Sequence, residues 1–176
     1  EKFYLDLQTK YKDTKVFKTH NGEAVIMMKD SAKGILIRGI DSEKIGEINF
    51  FENNIIDGNL SNFNEGTIVL GKYLAIELGL VVGDKINLIS SSSVSTPMGS
   101  IPKQSSYKIA AVFNSGLYEF DRNVAFFNLN DSLSFFEKSS DEISLEIFLQ
   151  NPLDADKYKK EIQDNNSDFY VNSWSD

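Results

Sequence analysis

The chain has 176 residues and a formal net charge of −8, with 41% hydrophobic and 12% aromatic residues. This composition is sufficient to build a core and excludes a generally disordered chain. The acidic balance, with Arg38 and Arg122 as the arginines, lacks the basic surface that a nucleic-acid-binding protein needs. The length fits one domain or two small lobes.

Cysteine is absent and His20 is the single histidine, which excludes disulfides, thiol nucleophiles, cysteine-ligated zinc and a histidine-rich metal site. No apolar run approaches the ~18–20 residues of a membrane-spanning helix, and no signal-peptide pattern is present. Because the sequence begins at Glu1 rather than at methionine, we expect a mature or excised segment of a longer protein.

Strand-like and helix-like segments alternate along the chain, separated by turn-prone dipeptides. Gly79 is suited to end the helix before it, and Asn130 or Asp131 to begin a later one. This mixture predicts the α+β class. In chain order we predict a short helix (3–12), a hairpin (24–29 and 35–38), a turn (57–58), a strand (67–70), a helix (71–80), a turn (83–84), strands (85–89, 107–113 and 123–127), a helix (129–138), a half-buried strand (143–149), a polar helix (152–162) and a last strand (169–171).

Residues 90–106 form a serine-rich segment that contains two prolines and no acidic residue. One interpretation is a disordered linker whose Met98 and Ile101 pack back onto the body. The other is a protruding hairpin, stiffened by its prolines, that presents apolar side chains to a partner. The sequence alone leaves both open.

Candidate catalytic groups are few. Glu119 and Asp121 would share a face if they lay on a strand, as the paired carboxylates of a glycosidase require, but two carboxylates beside an arginine are more often a solvated turn. The sequence around His20, His-Asn-Gly, indicates a turn first and a general base only weakly. The sequence contains no calcium-loop or phosphate-loop motif. We therefore predict a binding or scaffold module rather than an enzyme, with no cofactor and no metal.

Several short motifs follow one another across roughly residues 22–176. They are GILIRGID at 34–41, IVLG at 68–71, TPMGSIP at 96–102 and GLYEFD at 116–121. In this order they resemble the periplasmic domain of lipoprotein-releasing ABC transporter permeases, the LolC/LolE family, which is related to the MacB-type and FtsX-type permeases. The loop motif resembles the hook of LolC-like members, whereas GLYEFD is more similar to the hybrid type called LolF.

The resemblance implies a two-lobed fold. Residues 1–41 and 138–176 would form a membrane-proximal lobe, and residues 42–137 an inserted, β-rich lobe that carries the hook loop at 90–106. It also implies a location in the periplasm, as part of a permease of the bacterial inner membrane. The implied partners are a LolA-like soluble carrier, a separate cytoplasmic LolD-like ATPase, a second permease copy or a LolE-like subunit, and lipoprotein substrates.

The implied carrier contacts of the hook are Thr96, Pro97, Met98, Gly99, Ile101 and Pro102. A supporting polar pad falls on Asn87, Lys103, Gln104 and Ser105. The family pattern has arginines where this sequence has Asn87 and Ser105, Gln104 keeps the pattern, and Lys103 is the residue that could supply the missing charge. The alternatives are a periplasmic domain of another permease of this superfamily, acting in mechanotransmission or efflux, and an unrelated non-catalytic binding module.

Overall fold

The computed structural model of this chain describes residues 2–28, 32–166 and 169–176. The chain divides into one unit of residues 1–17 and 145–176 and another of residues 18–144. The sequence predicted boundaries at 41/42 and 137/138. In the structure, residues 18–41 and 138–144 belong to the same unit as residues 42–137. For residues 18–41 the reason is that the strands they form pair with strands of the central segment.

The unit of residues 18–144 holds most of the strands. Short 3-10 turns lie at Ile45–Glu47, Leu60–Asn62 and Ser140–Glu142. In chain order its elements are β1 (Thr14–Met27, which begins in the other unit), β2 (Ala32–Ile40), α2 (Asn49–Glu52), β3 (Ile55–Gly58), β4 (Thr67–Gly71), α3 (Lys72–Leu78), β5 (Lys85–Thr96), β6 (Gly99–Phe113), α4 (Tyr118–Asn123), β7 (Val124–Asn128) and α5 (Leu129–Phe135).

The strands of this unit form a closed sheet. Neighbours follow the order β2, β7, β4, β6, β5, β1, and β1 pairs again with β2, which closes the ring. The β2–β7 and β4–β6 pairs are parallel and the others are antiparallel. Strand β3 pairs with the end of β6, at residues 111–113, beyond the point where β5 begins.

The core of this unit follows the two-residue period of its strands, because alternate side chains of a strand lie on the same face. Every strand of the ring contributes two residues with this spacing, β6 adds Val112 as a third, and Phe135 and Phe136 add their rings from the end of α5. The inward-facing strand residues are Ala24 and Ile26, Ile35 and Ile37, Ile68 and Leu70, Ile86 and Leu88, Tyr107 and Ile109, and Ala125 and Phe127.

Helix α5 lies very close to β1 and β2 because glycines face it. A Cβ atom on Gly22 would come within 2.6 Å of the Phe136 ring, and one on Gly39 within 2.3 Å of the Ser132 side chain. The N-cap of the helix is Asn128, whose side chain accepts a hydrogen bond from the Asn130 amide at 2.9 Å. The two predicted caps, Asn130 and Asp131, are therefore wrong by two or three positions.

The unit of residues 1–17 and 145–176 contains α1 (Lys2–Lys10), β8 (Ser144–Leu149, apart from its first residue) and α6 (Ala155–Asn165), with a 3-10 turn at Pro152–Asp154. Strand β8 lies beside β1 in the sheet order. The core of this unit is small: one cluster consists of Tyr4, Leu7, Tyr11, Val16 and Ile162, and Phe17 is buried as well.

The predicted mixture of strands and helices is confirmed, and most elements lie within a few residues of their predicted positions. The helix end at Gly79 is confirmed, with a φ of 65°. Residues 57–58 were wrongly predicted as a turn, because they end β3, where Gly58 combines a φ of 77° with a close approach to the backbone of Ala110. Residues 169–171 form no strand. Lys29, predicted in a strand, lies outside the described residues.

One charged cluster connects α3 to α4 and β2. The Glu77 carboxylate accepts hydrogen bonds from Arg122 at 2.8 Å and from Lys33 at 2.6 Å. These two bonds, Arg122 first, lower the pKa of Glu77 from 4.5 to about 2. A carboxyl group whose pKa is lower in the folded state stabilises that state above its unfolded pKa and loses this contribution as the pH falls through its folded pKa.

We predict that Glu77→Gln lowers the melting temperature above about pH 5 and that this difference from the parent protein shrinks as the pH falls toward about 2. The measurement is thermal unfolding of both proteins between pH 2 and pH 7. The exposed Glu43, changed to Gln, serves as the control. A Glu77→Gln deficit that is the same at pH 3 and pH 7 would contradict the ion-pair assignment.

Candidate functional site

Residues 96–99 form the tight turn that joins β5 to β6. Thr96 and Gly99 are register partners, so Pro97 and Met98 are the two residues at the tip. Proline is favoured at the second position of such a turn and glycine at the fourth, and Gly99 has a φ of 121°, which a residue with a side chain rarely adopts. The Thr96 hydroxyl donates to the Gly99 carbonyl at 2.7 Å and accepts from the Met98 amide at 3.3 Å.

Strand β5 leaves the closed sheet at Ser90. This buried residue is paired with Ala24 in the β1–β5 ladder, and further along β5 the register with β6 shifts between residues 89 and 93. From Ser93 to Pro102, β5 and β6 pair with each other. We call residues 93–102 the outer hairpin. A proline inside β6 fits this position, because a two-stranded ribbon leaves strand edges where no amide donor is needed.

Residues 97–102 are all exposed, on both faces of the hairpin. Met98 is 97% exposed and Ile101 is 53% exposed. The interpretation of residues 90–106 as a disordered linker that packs Met98 and Ile101 onto the body is therefore wrong. The structure brings the predicted hook residues Thr96, Pro97, Met98, Gly99, Ile101 and Pro102 together at one end of the outer hairpin.

The residues predicted as a polar pad do not share one face. Asn87 and Gln104 are exposed and lie on the side of the ladder opposite to the buried Leu88. Ser105 is the register partner of Leu88 and shares its face of the sheet. Lys103 is on the same side of β6 as Ser105, because side chains alternate along a strand.

Lys103 binds the body of its own unit. Its ammonium group donates to the carbonyl oxygen of Ser134 at 2.6 Å and forms an ion pair with Glu137. The predicted role of Lys103, to supply the charge of the pad, is therefore in competition with an internal contact. Sequence reasoning missed Ser134 and Glu137, because they lie more than 30 residues from Lys103 and carry no local motif.

The two carboxylates considered as a catalytic pair lie apart. Glu119 and Asp121 lie in helix α4, where positions two apart point away from each other, so they form no pair. Asp121 is fully buried and accepts hydrogen bonds from the amide of Ser115 at 2.9 Å and from its hydroxyl at 2.5 Å. The strand and the solvated turn considered for this segment are both wrong.

His20 lies inside β1 rather than in a turn, and it is buried. Its Nδ1 is hydrogen-bonded to the equally buried Ser132 hydroxyl at 2.9 Å. Burial, followed by the charge of Lys138, lowers the pKa of His20. This pair joins β1 to α5, with His20 6% exposed and Ser132 fully buried.

Among residues 2–28, 32–166 and 169–176, no group of three or more acidic or histidine side chains could hold a metal ion. Within the same residues, no helix is both long and apolar enough to cross a membrane.

No protein-family model matches the chain. Curated relatives are lipoprotein-releasing system transmembrane proteins named LolC. The chain is 30% identical to that of Xylella fastidiosa over 98 residues, 54% of this chain and 24% of the relative. It is 23% identical to that of Neisseria meningitidis over 77% of this chain, and 30% identical to that of Buchnera aphidicola over 74%. The chain thus spans about a quarter to a third of the length of these relatives.

Two solved structures share the fold. A domain of a protein described as a permease from Porphyromonas gingivalis matches 94% of this chain and 76% of that chain, with a TM-score of 0.52 and 15% identity. The extracellular domain of the ABC-type transporter YknZ from Gram-positive bacteria matches 94% of this chain and 82% of that chain, with a TM-score of 0.58 and 13% identity. The resemblance to the LolC/LolE family is confirmed, and the similarities together support a domain of an ABC-type permease.

We predict that Gly99→Ala weakens the outer hairpin and leaves the closed sheet intact. A Cβ at this position meets no atom within 4 Å, so the cost comes from the φ of 121° alone. Hydrogen exchange should be faster for the amides of residues 93–102, with a change of less than about 2 °C in the melting temperature. Ser95→Ala, on an exposed arm position, is the control. Equal acceleration throughout the sheet would contradict a separable hairpin.

Proposed function

We propose that this chain is the periplasmic domain of an inner-membrane ABC transporter permease that releases lipoproteins and passes them to a LolA-type soluble carrier. The carrier binds the outer hairpin through the residues at its tip, 96–102. The domain itself is not catalytic, and a separate LolD-like ATPase subunit supplies the energy. A second permease copy or a LolE-like subunit completes the transporter.

The observation that carries this proposal is the exposure of Met98 and Ile101 on an ordered hairpin. Met98 is nearly fully exposed at the tip of the turn, and the two hydrogen bonds of the Thr96 hydroxyl stabilise that turn. Methionine adapts to the shape of a partner, and an ordered loop loses less conformational entropy on binding than a disordered one. The similarity to LolC proteins supports a carrier of lipoproteins as the partner.

Supporting polar contacts come from Asn87 and Gln104, which are exposed on one face of the β5–β6 ladder. Ser105 is half-buried on the other face, and the ammonium of Lys103 is already bound. The four predicted pad residues thus contribute unequally to this proposal: the two exposed ones contact the carrier, and Lys103 acts within the domain.

The lobe assignment is also part of the proposal. The unit of residues 1–17 and 145–176 is assigned as the membrane-proximal lobe. The unit of residues 18–144 is the lobe that carries the outer hairpin. A role in another permease of the MacB and FtsX superfamily remains the second candidate, because the fold similarity includes the extracellular domain of YknZ.

We predict that Met98→Asp weakens binding of a LolA-type carrier at least tenfold. Burying a methionine or isoleucine side chain contributes roughly 1.5–3 kcal/mol, and a buried unpaired carboxylate adds a desolvation cost. The measurement is isothermal titration calorimetry of the carrier into the isolated chain. Met27→Asp, which changes another methionine that is 55% exposed, is the matched control. An unchanged affinity for Met98→Asp with wild-type binding intact would refute the tip as the contact.

We also predict that raising the salt concentration from low to about half-molar changes this affinity by less than roughly tenfold. Residues 90–106 contain no carboxylate, and charge effects decay over ~8–10 Å at physiological salt, so the acidic body acts weakly on the tip. Lys103→Ala should reduce affinity less than Met98→Asp. An affinity that falls steeply with salt would show that charge rather than apolar contact dominates recognition.

A further inference from the structure

Glu137 has an unusual backbone conformation for its residue type. Among the described residues it is the one non-glycine residue with a positive φ, at 53°. It follows α5, where the Lys138 amide donates to the Leu133 carbonyl at 2.8 Å and the Glu137 amide to the Ser134 carbonyl at 3.3 Å. This is the Schellman arrangement of a helix end, in which glycine is strongly favoured at the left-handed position.

Helix α3 ends in the same arrangement with a glycine. Gly79 has a φ of 65°, and the amides of Gly79 and Leu80 donate to Ile76 and Ala75 at 3.1 and 3.0 Å. The chain therefore uses the favourable residue at one helix end and a strained one at the other. Strain that persists at a single residue points to a role for its side chain.

The side chain of Glu137 forms an ion pair with Lys103, which lies directly beyond the outer hairpin on β6. Lys103 also donates to the Ser134 carbonyl, which is one of the last carbonyls of α5, where a cation is favourable. The lysine side chain is 27% exposed, so solvent competes only partly for this contact. Lys103, Ser134 and Glu137 together form what we call the hairpin anchor.

The outer hairpin needs such support, because an isolated two-stranded ribbon is marginally stable in water. Its internal bonds, such as Ser100 to Ser93 at 2.6 Å and those of Thr96, hold the two arms to each other. None of these bonds fixes the direction of the ribbon relative to the closed sheet. The hairpin anchor joins the base of one arm to the end of α5.

We propose that Lys103 and Glu137 are positioning residues that hold the outer hairpin in its binding orientation, and that this contact accounts for a glutamate at the left-handed position. The proposal deepens the proposed function and rests on it for the identity of the partner. Its structural part, an oriented hairpin, is testable without any partner.

The first experiment compares Lys103→Gln, Glu137→Gln and Glu137→Gly by hydrogen exchange and thermal unfolding. All three should accelerate exchange of residues 93–102 about three- to tenfold and leave the closed sheet unchanged. Glu137→Gly should do so while the melting temperature stays constant or rises by about 2–4 °C, because glycine relieves the strained φ. A merely structural glutamate would instead lower the melting temperature. Lys108→Gln, on the same strand, is the control.

The second experiment restores the pair with reversed charges, Lys103→Glu together with Glu137→Lys. Protection of residues 93–102 should exceed that of the single Lys103→Glu variant, because the pair re-forms. Unchanged exchange in the single variants, or acceleration throughout the closed sheet, would overturn the anchor.

Carrier titration separates the two proposals. If the wild-type chain binds the LolA-type carrier, Glu137→Gly should bind about three- to tenfold more weakly, since the hairpin must be ordered on binding. Equal affinity would overturn the positioning role. If the wild-type chain does not bind while the exchange results hold, the proposed function fails and the hairpin anchor stands.

Discussion

The pairing of β1 with both β2 and β5 is the constraint on which the larger unit depends. It closes the sheet and brings at least two residues from every strand of the ring into one core. It also decides where the hairpin begins, because the ladder between β1 and β5 includes Ser90 as the partner of Ala24 and β5 continues past it. Further along, β5 and β6 pair with each other, so the outer hairpin is the continuation of two core strands rather than an inserted loop.

The sequence predicted elements whose signal is local. The helix end at Gly79 follows from the conformational freedom of glycine, and the core strands follow from their apolar period. It left open whether residues 90–106 form a protruding hairpin or a linker, because serine carries little strand preference and the pairing partner supplies the order. The sequence also did not show that His20 and Asp121 are buried. Their partners, Ser132 and Ser115, are brought to them by the fold.

The candidate site was predictable in its tip and not in its base. A protruding hairpin that exposes Met98 and Ile101 was one of the two interpretations of the sequence, and the structure has a turn at residues 96–99. The contact of Lys103 with Ser134 and Glu137 joins segments that are distant in sequence, so no local sequence pattern predicts it. Because the Lys103 ammonium is paired with Glu137, the positive charge in residues 90–106 is largely neutralised within the domain. The charge that a partner would meet there is therefore smaller than the sequence of this segment indicates.

The size of the tip sets the strength of the complex that it can form. Met98 and Ile101 together offer roughly 3–6 kcal/mol if both become fully buried, and Ile101 offers less because it is only 53% exposed beforehand. Association itself costs an estimated 4–15 kcal/mol in lost translational and rotational freedom. An apolar tip of this size therefore needs further contacts from the arms of the hairpin, and preorganisation of those arms reduces what binding must offset. In the proposed complex the orientation of the hairpin therefore matters in addition to the buried area.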